Sequence, residues 1–243
     1  MPADELNPLA STEIPDPIAF LMHAEPHVDG RMPWSSNATF LVTMRCGDAE
    51  QQAIYKPVRG ERPLWDFEPG LHKRERAAYL LSEQLGIGVV PPTVIRDGPF
   101  GEGSFQWFVD ADHTEHYFTI HEQYEHHHTQ LRQIAVLDVL ANNTDRKSGH
   151  CLLAHDRVWA IDNGLCFSAP FKLRTVIWEF AGEAIDEALL DRVSRIAERV
   201  PVDVAALLDD DEVSALQYRA TALAASGVFP SDHSGHRYPW PLV

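Results

Sequence analysis

Asn142-Asn143-Thr144-Asp145-Arg146-Lys147-Ser148-Gly149-His150, followed by Ala160-Ile161-Asp162-Asn163-Gly164, is the stretch whose reading decides the fold. Each half sets a carboxylate in a polar loop beside an apolar segment. Ile134 to Leu140 precedes Asp145, and Val158 to Ile161 leads into Asp162. Carboxylates held this way are the parts of a phosphoryl-transfer site: one orients a hydroxyl or accepts its proton, and the other holds a divalent cation against nucleotide phosphates. Taken singly, each acid is an ordinary turn residue, so the weight falls on what surrounds them.

Upstream, Phe40 to Met44 and Ala53 to Pro57 are β-branched and aromatic runs separated by a Gly47-Asp48 turn, which predicts consecutive antiparallel strands with Lys56 on the second. The Ser35-Ser36-Asn37 turn before them offers small side chains and backbone N–H groups suited to covering phosphates, although a plain hairpin loop has the same composition. Leu71 to Leu85 has helical spacing and Gly86 as a stop, with Glu75 in its first turns. Val89 to Arg96 and Gly103 to Val109 are two further expected strands, bridged by a glycine-rich turn. Asp110 to Glu115 is polar and is read as a hinge. Thr129 is then placed to cap a largely buried helix that includes Leu131, Ile134, Leu137 and Leu140.

Cys151 to Ala154 and Val158 to Ile161 form an expected hairpin that leaves Asp162 just past a strand end. Glu183 to Val200 and Glu212 to Ala225 carry apolar residues at helical intervals, and Phe229 to Val243 is irregular. His113, His116, His121, His126, His127 and His128 raise the question of a metal site. Their spacing matches no ligand pattern such as H-E-x-x-H, and consecutive histidines point in different directions, so solvated surface histidines are expected.

The 243 residues, 44% of them hydrophobic, suffice for one large domain or two lobes around a cleft. Asp and Glu outnumber Lys and Arg by 36 to 20, a formal net charge of −16, which repels nucleic acid and anionic membrane surfaces. Only Lys56 to Arg76 is noticeably basic. Three cysteines without C-x-x-C spacing fit a reducing cytoplasm. The first 17 residues have neither the basic nor the apolar region of a secretory signal, and no run approaches a membrane span. A cytoplasmic protein is therefore expected, binding no nucleic acid and having no stable membrane association.

The order of lysine strand, glutamate helix, Asp loop and Asp-Asn-Gly resembles kinases of the phosphoinositide 3/4-kinase-like group, and more closely the actinobacterial proteins related to it. Asn143-Thr144-Asp145-Arg146 resembles the catalytic D-R loop, and Ile161-Asp162-Asn163-Gly164 resembles the metal-binding D-x-G. Tyr55-Lys56-Pro57 and Arg74-Glu75 match the ATP lysine and its helix partner more loosely; the resemblance covers roughly residues 28 to 180. It implies an α+β, two-lobed protein-kinase-like fold with an antiparallel-sheet N-lobe and a mainly helical C-lobe. The boundaries would be a disordered arm over 1–16, an N-lobe over 17–109, a hinge over 110–118 and a C-lobe over 119–243.

The resemblance also implies roles. Lys56, held by Glu75, would contact the nucleotide phosphates under a loop of Ser35, Ser36 and Asn37, with Val109 also nucleotide-binding. Asp145 would orient the acceptor hydroxyl, Arg146 would neutralise or brace that loop, and Asp162 would bind the metal. One position departs from the pattern. An asparagine ligand is expected five positions after the loop aspartate, and His150 stands there. As a metal ligand, imidazole shifts preference from Mg²⁺ toward Mn²⁺ or Zn²⁺.

The expectation is an ATP-dependent kinase using Mg²⁺ or Mn²⁺, acting on a hydroxyl of an unidentified small polyol or protein. A nucleotide-binding pseudokinase and an AMP transferase on the same fold are the alternatives. A histidine-based metallohydrolase ranks well below them.

Overall fold

The computed structural model describes residues 13–33, 37–64 and 67–242. Its first half is organised by strand alternation. Helix α1 (Pro17–His23) leads into β1 (Glu25–Arg31), β2 (Phe40–Cys46) and β3 (Ala49–Pro57). Helix α2 (Leu71–Gln84) separates these from β4 (Thr93–Gly98) and β5 (Gly101–Trp107). The five strands form one antiparallel sheet in the order β1-β2-β3-β5-β4. Val42, Met44, Ala53, Tyr55, Val94, Phe105 and Trp107 are buried together with Phe20 and Leu21 of α1. Successive side chains of a strand point to opposite faces. The alternation that buries Ala53 and Tyr55 therefore turns Lys56 to the other face, which looks onto α2. Gly103, opposite Pro57, is required at that point, because a Cβ there would overlap the Lys56 carbonyl oxygen.

The second half is mainly helical. It comprises α3 (Tyr117–Gln123), α4 (His128–Ala141), the hairpin of β6 (Cys151–Ala154) and β7 (Arg157–Ala160), then α5 (Glu187–Glu198), α6 (Val202–Ala205) and α7 (Asp210–Ser226). Leu131, Ile134, Leu137 and Leu140 of α4 pack with Leu189, Val193 and Ile196 of α5 and with Leu216, Ala220 and Leu223 of α7. Full burial of each large aliphatic side chain contributes about 1.5–3 kcal/mol. Asp209 caps α7 in a reciprocal capping box with Glu212. No helix among the described residues is long and apolar enough to cross a membrane.

Several expectations shift. Residues 1–12 of the expected arm lie outside the described residues, whereas Ile14 is buried against the sheet core and Asp16 caps α1, so the folded chain starts before residue 17. Val89 to Pro92 is not strand: Pro91 and Pro92 lack the N–H a ladder needs, and β4 starts at Thr93. Thr129 does not cap α4, which begins one residue earlier and has no side-chain cap. The apolar side of α2 (Ala77, Ala78, Leu81) joins the helical core rather than the sheet core, so the hydrophobic interior does not divide at Val109.

Candidate active site

Lys56 on β3 pairs with the Oε1 of Glu75 on α2 and stands 2.7 Å from the Oδ1 of Asp162. The second Glu75 oxygen accepts the Asn163 backbone N–H at 3.0 Å. One buried carboxylate thus holds the strand lysine on one side and the Asp-Asn-Gly turn on the other. Gly164 leaves room for it, since a Cβ there would come within 3.3 Å of Glu75 Oε1. Asp162 has a left-handed backbone, φ 57°, an uncommon conformation for a residue with a side chain. In it Asn163 is buried, while the Asp162 side chain remains 52% exposed. The Lys56 ammonium holds the Asp162 carboxyl far below the usual carboxylate range. Burial alone would lower the Lys56 pKa, but Asp162 and Glu75 outweigh it and raise it.

Helix α2 is fixed by its neighbouring residue. Arg74 Nη2 lies 2.5 Å from Glu212 on α7, and Nη1 donates to the Cys166 carbonyl at 2.8 Å. The register of Glu75 therefore depends on a clamp to the helical half and to the segment after Gly164.

The loop after α4 turns at Asn142, φ 50°, whose side-chain amide donates to the carbonyls of Ser168 and Pro170 at 2.7 and 2.8 Å. Asn143 Oδ1 accepts the Asp145 N–H at 2.9 Å. The Asp145 side chain is 25% exposed and 3.2 Å from Lys147 Nζ; burial raises its pKa, and Lys147 opposes the rise. His150 Nδ1 lies 2.9 Å from the Asp145 carbonyl. A carbonyl can only accept, so this contact, shorter than the 3.5 Å approach of the Lys147 N–H to the same nitrogen, favours the hydrogen on Nδ1 and leaves the Nε2 lone pair beside Asp162 Oδ2, 3.5 Å away. Burial pushes the His150 pKa down to about 4, which keeps that lone pair free at neutral pH. A carboxylate and a neutral imidazole side by side are a fitting donor set for a divalent cation, and the mixed N and O character suits Mn²⁺ as well as Mg²⁺.

Arg146, expected among the catalytic residues to neutralise or brace the loop, stands in a bracing position. It is completely buried, with Nε and Nη2 3.0–3.1 Å from Asp138 of α4, Nη2 2.6 Å from Asn163 Oδ1 and Nη1 2.7 Å from the Ile161 carbonyl. Burial would lower its pKa, but Asp138 outweighs that and raises it. Enclosed this way, Arg146 cannot touch a substrate; it ties α4 to the Asp-Asn-Gly turn. Asp138, which also accepts from Asn143 and Thr175 at 3.0 and 3.1 Å, is the buried acid that sequence reasoning missed. Its one signal was a carboxylate among the apolar positions of α4.

Val109 is buried against Leu152, Ala154 and Trp159 of the hairpin, with Ile161, the residue before Asp162, packed alongside. Of the expected phosphate loop, Ser35 and Ser36 lie outside the described residues. Asn37 Oδ1 accepts the Arg62 N–H at 3.0 Å and so fastens the chain after β3. Among the histidines His127 differs from expectation, being 4% exposed where α4 begins, while His113 and His126 are exposed as expected.

Protein Rv2133c of Mycobacterium tuberculosis is 38% identical over 271 aligned positions that span 96% of this chain and 98% of that protein. The chain belongs to the family of Protein Rv2133c. No family model matches it. Two solved structures share its fold. The Golgi casein kinase with Mn/ADP bound superposes with a TM-score of 0.54 at 14% identity, over 93% of this chain and 79% of that one. Hydra Fam20 with sugar gives 0.56 at 15% identity, over 89% and 91%. The Rv2133c-family chain therefore has a two-lobed, kinase-like α+β fold built on an antiparallel sheet.

Proposed function

We propose that this Rv2133c-family protein is an ATP-dependent phosphotransferase that delivers the γ-phosphoryl group to a hydroxyl of a small polyol or a protein. The observation that carries this reading is Glu75, which holds Lys56 through one oxygen and the Asp162-Asn163 turn through the other. That arrangement aims an ammonium and a carboxylate from opposite walls at one place. Lys56 would neutralise nucleotide phosphates, and Val109, Leu152 and Ile161 would form the apolar floor for the base. Asp162 and His150 would hold Mg²⁺ or Mn²⁺, which supplies charge neutralisation for the transferred group.

Asp145 takes the acceptor role. The hydroxyl oxygen forms its bond to the γ-phosphorus, the bond to the β–γ bridging oxygen breaks, ADP leaves, and the hydroxyl proton passes to the Asp145 carboxylate. Its raised pKa makes it a better proton acceptor than an ordinary surface aspartate.

The phosphoinositide 3/4-kinase likeness rests on the Asp145-Arg146 and Asp162-Asn163-Gly164 motifs. A net charge of −16 argues against a headgroup embedded in an anionic bilayer as the acceptor. The deciding experiment incubates the protein with Mg²⁺ or Mn²⁺ and γ-labelled or α-labelled ATP. Label transferred from the γ position, or ATP hydrolysis with water as acceptor, supports phosphotransfer. Transfer from the α position supports AMP transfer instead. His150 in place of an amide favours one further reading, a nucleotide-binding regulatory module; tight ATP binding without turnover on any metal would establish it.

A further inference from the structure

Away from the cleft, the start of α4 meets the turn of the β6–β7 hairpin. His126 Nε2 and His127 Nε2 lie 3.6 and 3.4 Å from the same oxygen, Asp156 Oδ1, and the three donor atoms fall within 4.8 Å of one another. The protonation of His127 is set from behind. Its Nδ1 is 3.1 Å from Gln130 Oε1, and that oxygen also accepts the Val158 N–H at 3.0 Å. An amide oxygen already accepting a backbone N–H can only accept from Nδ1 as well, so Nδ1 carries the hydrogen. In neutral His127, Nε2 is then the unprotonated nitrogen, 3.4 Å from a carboxylate oxygen, and the two are donor atoms that a cation could share. His127 is 4% exposed.

The Asp156 side chain is 87% exposed at the tip of the hairpin. His155 and Asp156 form the two-residue turn with φ 54° at both, a left-handed conformation where Asn-Gly would be relaxed. The spacing separates two cation classes. Tetrahedral sites with bonds of about 2.0–2.1 Å have ligand–ligand edges of about 3.3–3.4 Å. Octahedral Mg²⁺ at about the same bond length has edges of about 3.0 Å. The 3.4 Å separation matches the first and the 3.6 Å one is slightly wider, while two imidazoles and one carboxylate are donor types that Zn²⁺ takes.

We propose that His126, His127 and Asp156 bind a Zn²⁺-class divalent cation, with a fourth position open to solvent. The hydrogen bond from His127 to Gln130 orients the ligand ring as in other metal-bound histidines. The cation fastens the hairpin turn to α4, and β7 of that hairpin leads directly into Asp162. The site is independent of the phosphotransferase reading.

The test uses untagged full-length protein, stripped with a chelator, reloaded with Zn²⁺, gel-filtered and assayed for bound metal, with Co²⁺ absorption reporting geometry. Wild type and Asp162→Asn should each retain one equivalent, and Co²⁺ should give tetrahedral bands. His126→Ala and Asp156→Gly should bind at least tenfold more weakly; both positions are exposed, and glycine relaxes the turn, so folding survives. No retained equivalent in wild type would reduce the cluster to an ordinary ion pair. Equal retention by the two variants, or loss only in Asp162→Asn, would place the metal elsewhere and overturn the proposal.

Discussion

Two ionic networks lie on either side of the Asp-Asn-Gly turn. Lys56, Glu75 and Asp162 face the cleft, and the Asp162 side chain is half exposed. Asp138, Arg146 and Asn163 lie beneath it, each essentially without solvent contact and with every Arg146 nitrogen engaged. The charges are alike in kind, but the first set has coordination capacity left for a ligand and the second has none. On the proposed phosphotransfer, burial and saturation separate the residues that would act on substrate from those that hold them in place, and Arg146, adjacent to Asp145 in sequence, falls in the second group.

This contrast predicts opposite phenotypes. Asp162→Ala should remove at least about 10³-fold of phosphoryl transfer, roughly 4 kcal/mol of barrier, while urea denaturation shows a nearly unchanged midpoint. Arg146→Ala leaves Asp138 buried without its partner and should cost about 3–5 kcal/mol of stability, read as an early denaturation midpoint. If Arg146→Ala instead folds like wild type and loses only activity, the division between the two networks is wrong.

Glu75→Gln sits between the two, because it weakens the hold on Lys56 yet keeps an acceptor for the Asn163 N–H. A roughly tenfold to hundredfold fall in kcat/KM with modest destabilisation is expected, the scale of a misplaced catalytic group.

The smallest effect concerns Asp145. Lys147 lowers a carboxyl pKa that burial has raised, so Lys147→Met should raise it further. A base works only when deprotonated, so the acid limb of the pH–rate profile moves to higher pH while the neutral plateau is kept. A limb that stays in place would show that Asp145 is not the titrating base.

The upper network was legible in the sequence because its members punctuate regular elements: a lysine on an alternating strand, a glutamate early in an amphipathic helix, an aspartate past a strand end. The lower network was not. Asp138 and Arg146 meet because Asn142 reverses the chain in a left-handed turn, and no periodicity announces such a reversal. Strand β1 was also hard to delimit. Nearly all of its residues are exposed, and it contains Pro26 and Gly30, so it carries no alternation to read. For the histidines, linear spacing could not bring Asp156 near His126 and His127, because the hairpin places it there. The two-lobed layout came from the family resemblance that the order of elements carries. The placement of α2 in the helical core depended on the Arg74–Glu212 clamp, whose partners lie far apart in the chain.

The central claim is that the cleft between Lys56 and Asp162 moves a γ-phosphoryl group. Its most direct test is label transfer from ATP with Mg²⁺ or Mn²⁺, comparing γ- with α-labelled nucleotide in wild type and Asp162→Ala. The account predicts label from the γ position only, and none with Asp162→Ala at unchanged fold. Label from the α position, equal transfer by the variant, or no ATP binding by the wild type would contradict it.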